Sequence, residues 1–204
     1  MPLLIETETR AGVLVAAVNR VLLTHGPTGL TMRRIAQVSG VSTSSILHHL
    51  GSREHLLRVA AAKTAEARVR DIKYRALREG ALSFLPATGD QVLNARVWLA
   101  WQELWRSEEF LAKWIGQGRG EERALLARIL DFQLARDALD AAFAMVDGLT
   151  VAVCAPQQPM RLDRARALLT AHLKRLGADP RLMPPDDQDP YADVTPPLPQ
   201  VSSW

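Results

Sequence analysis

Residues 31–57, TMRRIAQVSGVSTSSILHHLGSREHLL, are the stretch around which the rest of the chain is organised. Thr31 is suited to capping a helix that begins at Met32, because its hydroxyl can accept from one of the orphan amides of the first turn. That helix is short and stops at Gly40, a residue that tolerates the left-handed conformation of a sharp turn. Ser42 can cap a second helix. On it Ile46 and Leu50 lie one turn apart and face inward with Ile35 and Val41, while Thr43, Ser44, Leu47 and His48 share the outward side. Ser52 caps a third start, with Glu54 in the first turn, where the helix dipole favours an acid. Two short helices joined by a glycine turn, the second with a small polar outer face, make a helix-turn-helix of the kind that reads DNA.

A helical hairpin that merely packs would share any one of these signals. Their joint order, with basic residues on both flanks, favours DNA. Thr31, Ser42, Ser52 and Arg53 stand at helix starts, where hydroxyls, amides and a cation can grip phosphate, although the hydroxyls would look the same as simple caps. Arg33 projects from the first turn of its helix toward a phosphate or a guanine edge. Thr43, Ser44 and His48 are placed to read bases, and Leu47 to touch a thymine methyl.

Working outward, charge is distributed unevenly along the 204 residues. The net charge of +3 combines 12 Lys+Arg against 6 Asp+Glu in residues 1–80 with 13 against 16 in the remainder. The basic part is the part that holds the helix-turn-helix, as expected if it meets phosphates. Hydrophobic residues make up 48% and charged residues 23%, an ordinary globular composition. The single Cys154 excludes an internal disulfide and fits a reducing cytosol. No apolar run approaches the roughly 18 residues of a membrane span, and the N-terminus lacks the pattern of an export signal. A cytoplasmic protein is expected.

The chain reads as all-α, a three-helix head followed by a helical body, about nine helices in total. Val13, Ala17 and Val21 mark a first helix over 11–25, ended by Gly26-Pro27. From Arg53 to about Arg78 no Pro or Gly interrupts, which predicts a helix on the order of 40 Å long whose later charges form a solvated face. Residues 80–89, containing Pro86, read as a linker or bend. A helix is expected over 90–107, a short one around Phe110 and Trp114 stopped by Gly116, Gly118 and Gly120, then helices over 121–134, 137–154 and 162–176. The expected domains are a DNA-binding head at 1–52, a ligand-binding and dimerisation body at 53–177, and a Pro-rich tail at 178–204. Seven prolines fall in the last 25 residues; Tyr191, Leu198 and Trp204 are expected to rest on the body or on a partner subunit.

Four of the five tryptophans lie between 98 and 114. Trp98, Trp101 and Trp105 recur at i, i+3 and i+7, one face of a helix. Plain core packing is the commoner meaning of such a stripe; the sharper one is an effector pocket walled by indoles, with Gln102 on the same face. Such a cage would suit a cationic amine, with Asp147, the one acid in the apolar run 141–154, as counter-charge. Alternatively Asp147 bonds a neighbouring helix, the reading favoured here. His48, His49 and His55 do not make a metal site: no Cys or carboxylate pair accompanies them, and adjacent helical residues point apart. No phosphate loop, activated nucleophile or facing carboxylate pair supports catalysis, and no cofactor is implied.

From Ala11 to Leu57 the sequence resembles the tetracycline-repressor (TetR) family of bacterial one-component regulators. The marks are Gly26, Leu30-Thr31, Ile35-Ala36, Gly40-Val41-Ser42, His48, Glu54 and Leu56-Leu57. It departs from the family at Ser44, usually Gly, at Leu47, usually Tyr, and at Leu50, usually Phe. Val97–Trp105 and Asp147-Gly148-Leu149 more weakly resemble the effector domain of the betaine-choline repressor subgroup. The resemblance implies a transcriptional repressor that binds a palindromic double-stranded operator as a homodimer and is released by a small-molecule effector, a cationic amine or an apolar compound. It also implies dimerisation through the last two helices, with Phe143 and Leu169 as expected contacts. A ligand-blind helix-turn-helix protein is the alternative, and an all-helical enzyme a remoter one.

Overall fold

The computed structural model describes residues 3–130 and 134–181, with side chains from residue 11 onward. Eight α-helices account for most of it: α1 (Leu3–His25), α2 (Met32–Ser39), α3 (Thr43–Leu50), α4 (Arg53–Glu79), α5 (Gly89–Leu104), α6 (Ala112–Ile129), α7 (Arg136–Cys154) and α8 (Leu162–Arg175). No strand occurs among the described residues. The all-α expectation holds, with eight helices where about nine were expected.

The caps act where the sequence placed them. Thr31 Oγ1 accepts from the Arg34 amide at 3.3 Å, Ser42 Oγ from the Ser45 amide at 3.2 Å, and Ser52 Oγ from the His55 amide at 3.0 Å. Gly40 ends α2 at φ 71°, the left-handed region in which a side chain would be strained. α1 starts eight residues earlier than expected, in a run that holds neither Gly nor Pro.

The described residues divide into two compact units. One combines residues up to Glu66 with Arg96–Gly118; the other combines Ala67–Ala95 with the residues from Arg119 onward. The boundaries fall inside α4, α5 and α6. In the first unit a single apolar core gathers Leu14, Val18, Val21 and Leu22 of α1 with Ile35, Ile46, Leu57 and Ala61, and also takes in Trp98, Trp101, Leu104, Leu111 and Ile115. The three head helices therefore share their core with the tryptophan helix.

α6 corrects the sequence reading. Gly116, Gly118 and Gly120 do not stop a short helix; the helix runs straight through them. Gly118 is there for proximity. A Cβ on it would come within 2.9 Å of the Ala65 Cβ and 3.1 Å of Trp98 Cη2, so only hydrogen lets the helices approach. The same signal, glycine in a helical pattern, marked close packing rather than an end.

In the second unit, the supposed linker at 80–89 is largely a buried 3-10 turn over Gly80–Phe84. Its backbone groups are tied down: the Ala81 amide donates to Pro180 O at 3.0 Å, Arg166 Nη1 to Leu82 O at 3.1 Å, and Arg75 Nη1 to Leu85 O at 3.1 Å. Gly80 takes φ 55°, and a side chain there would collide with the backbone of Pro180. The charged stretch of α4 is not simply solvated either. Arg68 pairs with the buried Glu122, and Arg75 with Asp71 at 2.9 Å. α7 and α8 pack together, with Phe143 and Leu169 both inside the unit. Those two residues are core, not outward contacts. Tyr191, Leu198 and Trp204 lie outside the described residues.

Candidate nucleic-acid interface

α3 presents the surface expected of a reading helix. Ile46 is 1% exposed and anchors it from beneath, Leu47 is 39% exposed, and Ser44 and His48 are exposed beside it. Thr43 is half-buried at the first turn. Ser44 Oγ lies 3.1 Å from Ser42 Oγ, so two of the hydroxyls expected at the interface already engage each other. His48 and His49 meet edge to face with centroids 5.4 Å apart. Thr31 and Ser42 are exposed caps whose oxygens hold helix amides, as the plain capping reading required.

The two arginines of α2 separate by role. Arg34 Nη1 donates to Gly29 O at 2.9 Å and closes the turn between α1 and α2, leaving Arg33 as the exposed cation of that helix. Arg53 opens α4 directly after the Ser52 cap, where the dipole and the free amides attract anions. Its Nη2 already holds a carboxylate, that of Glu108 at 2.8 Å.

The expected tryptophan face breaks at its last member. α5 ends at Leu104, and its final turn tightens through Arg106 N to Glu103 O and Ser107 N to Leu104 O, at 3.2 and 3.1 Å. Trp105 falls beyond the helix and is 42% exposed. Trp98 and Trp101 are fully buried, and Trp101 Nε1 donates to Asn19 Oδ1 at 2.9 Å. Gln102 is half-buried on the same helix. Asp147, in the other unit, is engaged by Arg119: Nη1 reaches Oδ1 at 2.7 Å and Nη2 closes a fork on Oδ2. The guanidinium sits over the Phe143 ring, 4.4 Å from its centroid, and also reaches Glu122 at 3.3 Å. Burial works against its charge, but the bonds to Asp147 and the field of Asp147 and Glu122 outweigh that and hold its pKa above the usual arginine value. The favoured reading of Asp147, a bond to a neighbouring helix, is the one realised.

Residues 14–60, spanning α1 to the start of α4, match the family described as bacterial regulatory proteins, tetR family. The chain carries a DNA-binding domain of the TetR type. It is a transcriptional regulator with a helix-turn-helix DNA-binding domain. A curated relative, the HTH-type transcriptional regulator PksA of Bacillus subtilis (strain 168), is 28% identical over 197 residues, covering 86% of this chain and 94% of its own. Solved TetR-like folds include a transcriptional regulator from Rhodococcus sp. Rha1, at 21% identity and TM-score 0.69, covering 83% of this chain and 97% of that one. Another is the multidrug binding protein EbrR complexed with malachite green, at 23% identity and TM-score 0.59, covering 80% and 97%.

Several residues of this chain were not marked by the sequence. Asn19 is the polar residue next to the buried face of α1, a signal that was available. Glu108, Arg119 and Glu122 looked like ordinary surface charges, and nothing in their spacing announced partners 28 to 55 positions away. Among the described residues no group of three or more ligating side chains could hold a metal, and no helix is long and apolar enough to cross a membrane.

Proposed function

We propose that this regulator works in the cytoplasm as a repressor, binding an inverted-repeat DNA operator as a homodimer and releasing it when a small molecule binds the helical body. The observation that carries the reading is α3: capped, anchored from below by Ile46, and outwardly small and polar at Ser44 and His48 with Leu47 between them. In the proposed complex Thr43, Ser44, Leu47 and His48 meet base edges. Thr31, Arg33, Ser42 and Arg53 hold phosphates and fix the register. Residues 1–52 act as the reading head, 53–177 as the effector and dimerisation body, and 178–204 as its tail.

A palindrome requires two-fold symmetry. The outward side of α7 supports a dimer: Ala141, Ala144, Gly148 and Val151 are exposed at helical spacing, and Val151 is 54% exposed. Small residues let two such helices approach closely.

For the effector, support comes from the second unit. Ser83 Oγ, Thr150 Oγ1 and His172 Nε2 are buried without a hydrogen-bond partner among the described residues. Native interiors rarely leave such atoms unbonded, so each is a candidate partner for a bound small molecule. Trp98 and Trp101 serve as core, with Gln102 beside them and Trp105 outside. Asp147 meets an incoming cation only if Arg119 lets go. EbrR binds malachite green, an aromatic cation, which makes that dye a suitable first probe.

The test is DNA binding to a randomised duplex pool followed by selection. Recovery of an inverted repeat, with affinity falling steeply as salt rises, is expected. Affinity indifferent to salt and to substitutions on the outward face of α3 would overturn the reading.

A further inference from the structure

The geometry of the first unit points to Glu108 as a built-in competitor of DNA for Arg53. It rests on the reading above that Arg53 contacts phosphate. Arg53 is the first residue of α4, at a helix start already favourable to anions. The Glu108 carboxylate lies 2.8 Å from its Nη2, with the two side chains 23% and 37% exposed, so solvent and a phosphate oxygen can both reach the pair.

Glu108 is not a stray surface acid. Its amide donates to Leu104 O at 3.0 Å and its carbonyl accepts from the Leu111 amide at 2.9 Å. Leu104 and Leu111 are both buried, so the turn that carries Glu108 is pinned at each end in the core that holds Trp98 and Trp101. Five residues along α4 from Arg53, the Arg58 guanidinium sits 5.5 Å from the centroid of the Phe110 ring. Residues 108–110 therefore lie along the first two turns of α4 and touch them twice.

When a phosphate approaches, Arg53 must either leave Glu108 or hold two anions side by side, and the second anion repels the first. Both routes subtract from affinity for any DNA sequence. By reciprocity, a shift of the 105–111 turn away from α4 strengthens DNA binding, and bound DNA loosens the turn. The turn after the tryptophan helix is thus a lever on the head.

Titration of the full chain against a random-sequence duplex at low salt tests this. Glu108→Gln and Glu108→Ala are each expected to tighten binding about 1.5- to 5-fold, the range of one partly exposed ion pair. Glu109→Gln, which removes the same charge one position away, is expected to give a clearly smaller gain. In an Arg53→Ala background the Glu108 gain should vanish. An equal gain from Glu109→Gln, or a Glu108 gain that survives Arg53→Ala, overturns the competition while leaving the phosphate contact standing. Unchanged affinity for Arg53→Ala alone removes the phosphate contact, and the competition with it.

Discussion

The indole Nε1 of Trp101 donates to Oδ1 of Asn19 at 2.9 Å, joining the tryptophan helix to the first helix of the head. The same carboxamide donates from Nδ2 to Thr64 Oγ1 at 3.0 Å, so α1, α4 and α5 meet at one residue. Asn19→Ala strands the fully buried indole N–H, and an unmet buried donor costs about 1–3 kcal/mol. Chemical denaturation followed by tryptophan fluorescence should show a loss of that order; an unchanged midpoint would deny the bond its role.

Gly118 and Gly116 sit half a turn apart in α6 and should respond with opposite signs. Gly118→Ala drives a methyl group into Ala65 and Trp98, and overpacking of this kind costs about 1–3 kcal/mol. Gly116 has open space around its Cβ position, so Gly116→Ala should stabilise by up to about 1 kcal/mol through helix propensity. Thermal unfolding of the pair decides the matter. Two shifts in the same direction contradict the packing described here.

Glu122 is 1% exposed and shared between Arg68 and Arg119. Arg68→Ala leaves a buried carboxylate with one partner fewer, and breaking a buried pair typically costs about 3–5 kcal/mol. Arg119 remains, so the lower end is expected. Adding Glu122→Gln to Arg68→Ala should recover part of the loss in urea denaturation, since the unpaired charge is then gone.

On the DNA side, Arg53→Ala should weaken binding to every sequence, whereas His48→Ala should change which sequences a selection recovers. Replacing a contacted thymine by uracil removes only the methyl group. If Leu47 meets that methyl, the substitution lowers affinity for the wild type and has no effect on Leu47→Ala.

Val151→Glu should separate a dimer built on α7, seen as a halved mass in analytical ultracentrifugation at micromolar concentration. Phe143→Ala and Leu169→Ala remove buried side chains instead, and a truncation of that size costs about 2–5 kcal/mol of stability. If Val151→Glu leaves the mass unchanged, the dimer does not use this face.

The sequence by itself determined the head. Caps, a left-handed glycine and the 3.6-residue spacing of Ile46 and Leu50 are local instructions, and Thr31, Gly40, Ser42 and Ser52 carry them out within a few residues of themselves. The all-α class followed for the same reason. What tertiary structure alone decided was the use of residues whose meaning depends on a distant neighbour. Gly118 reads as a helix stop until Ala65 and Trp98 press against it. Asp147 reads as a counter-charge or as a bond to some neighbouring helix until Arg119 closes on it, and the run from Gly80 reads as a linker or bend until Arg166 and Pro180 occupy its backbone. Trp105 shares helical spacing with Trp101, and its amide still donates to Trp101 O, but it stands where the helix ends and is left exposed. Spacing along a chain encodes which side chains share a face; it does not encode what packs on that face, because that free energy comes from atoms brought together only by folding.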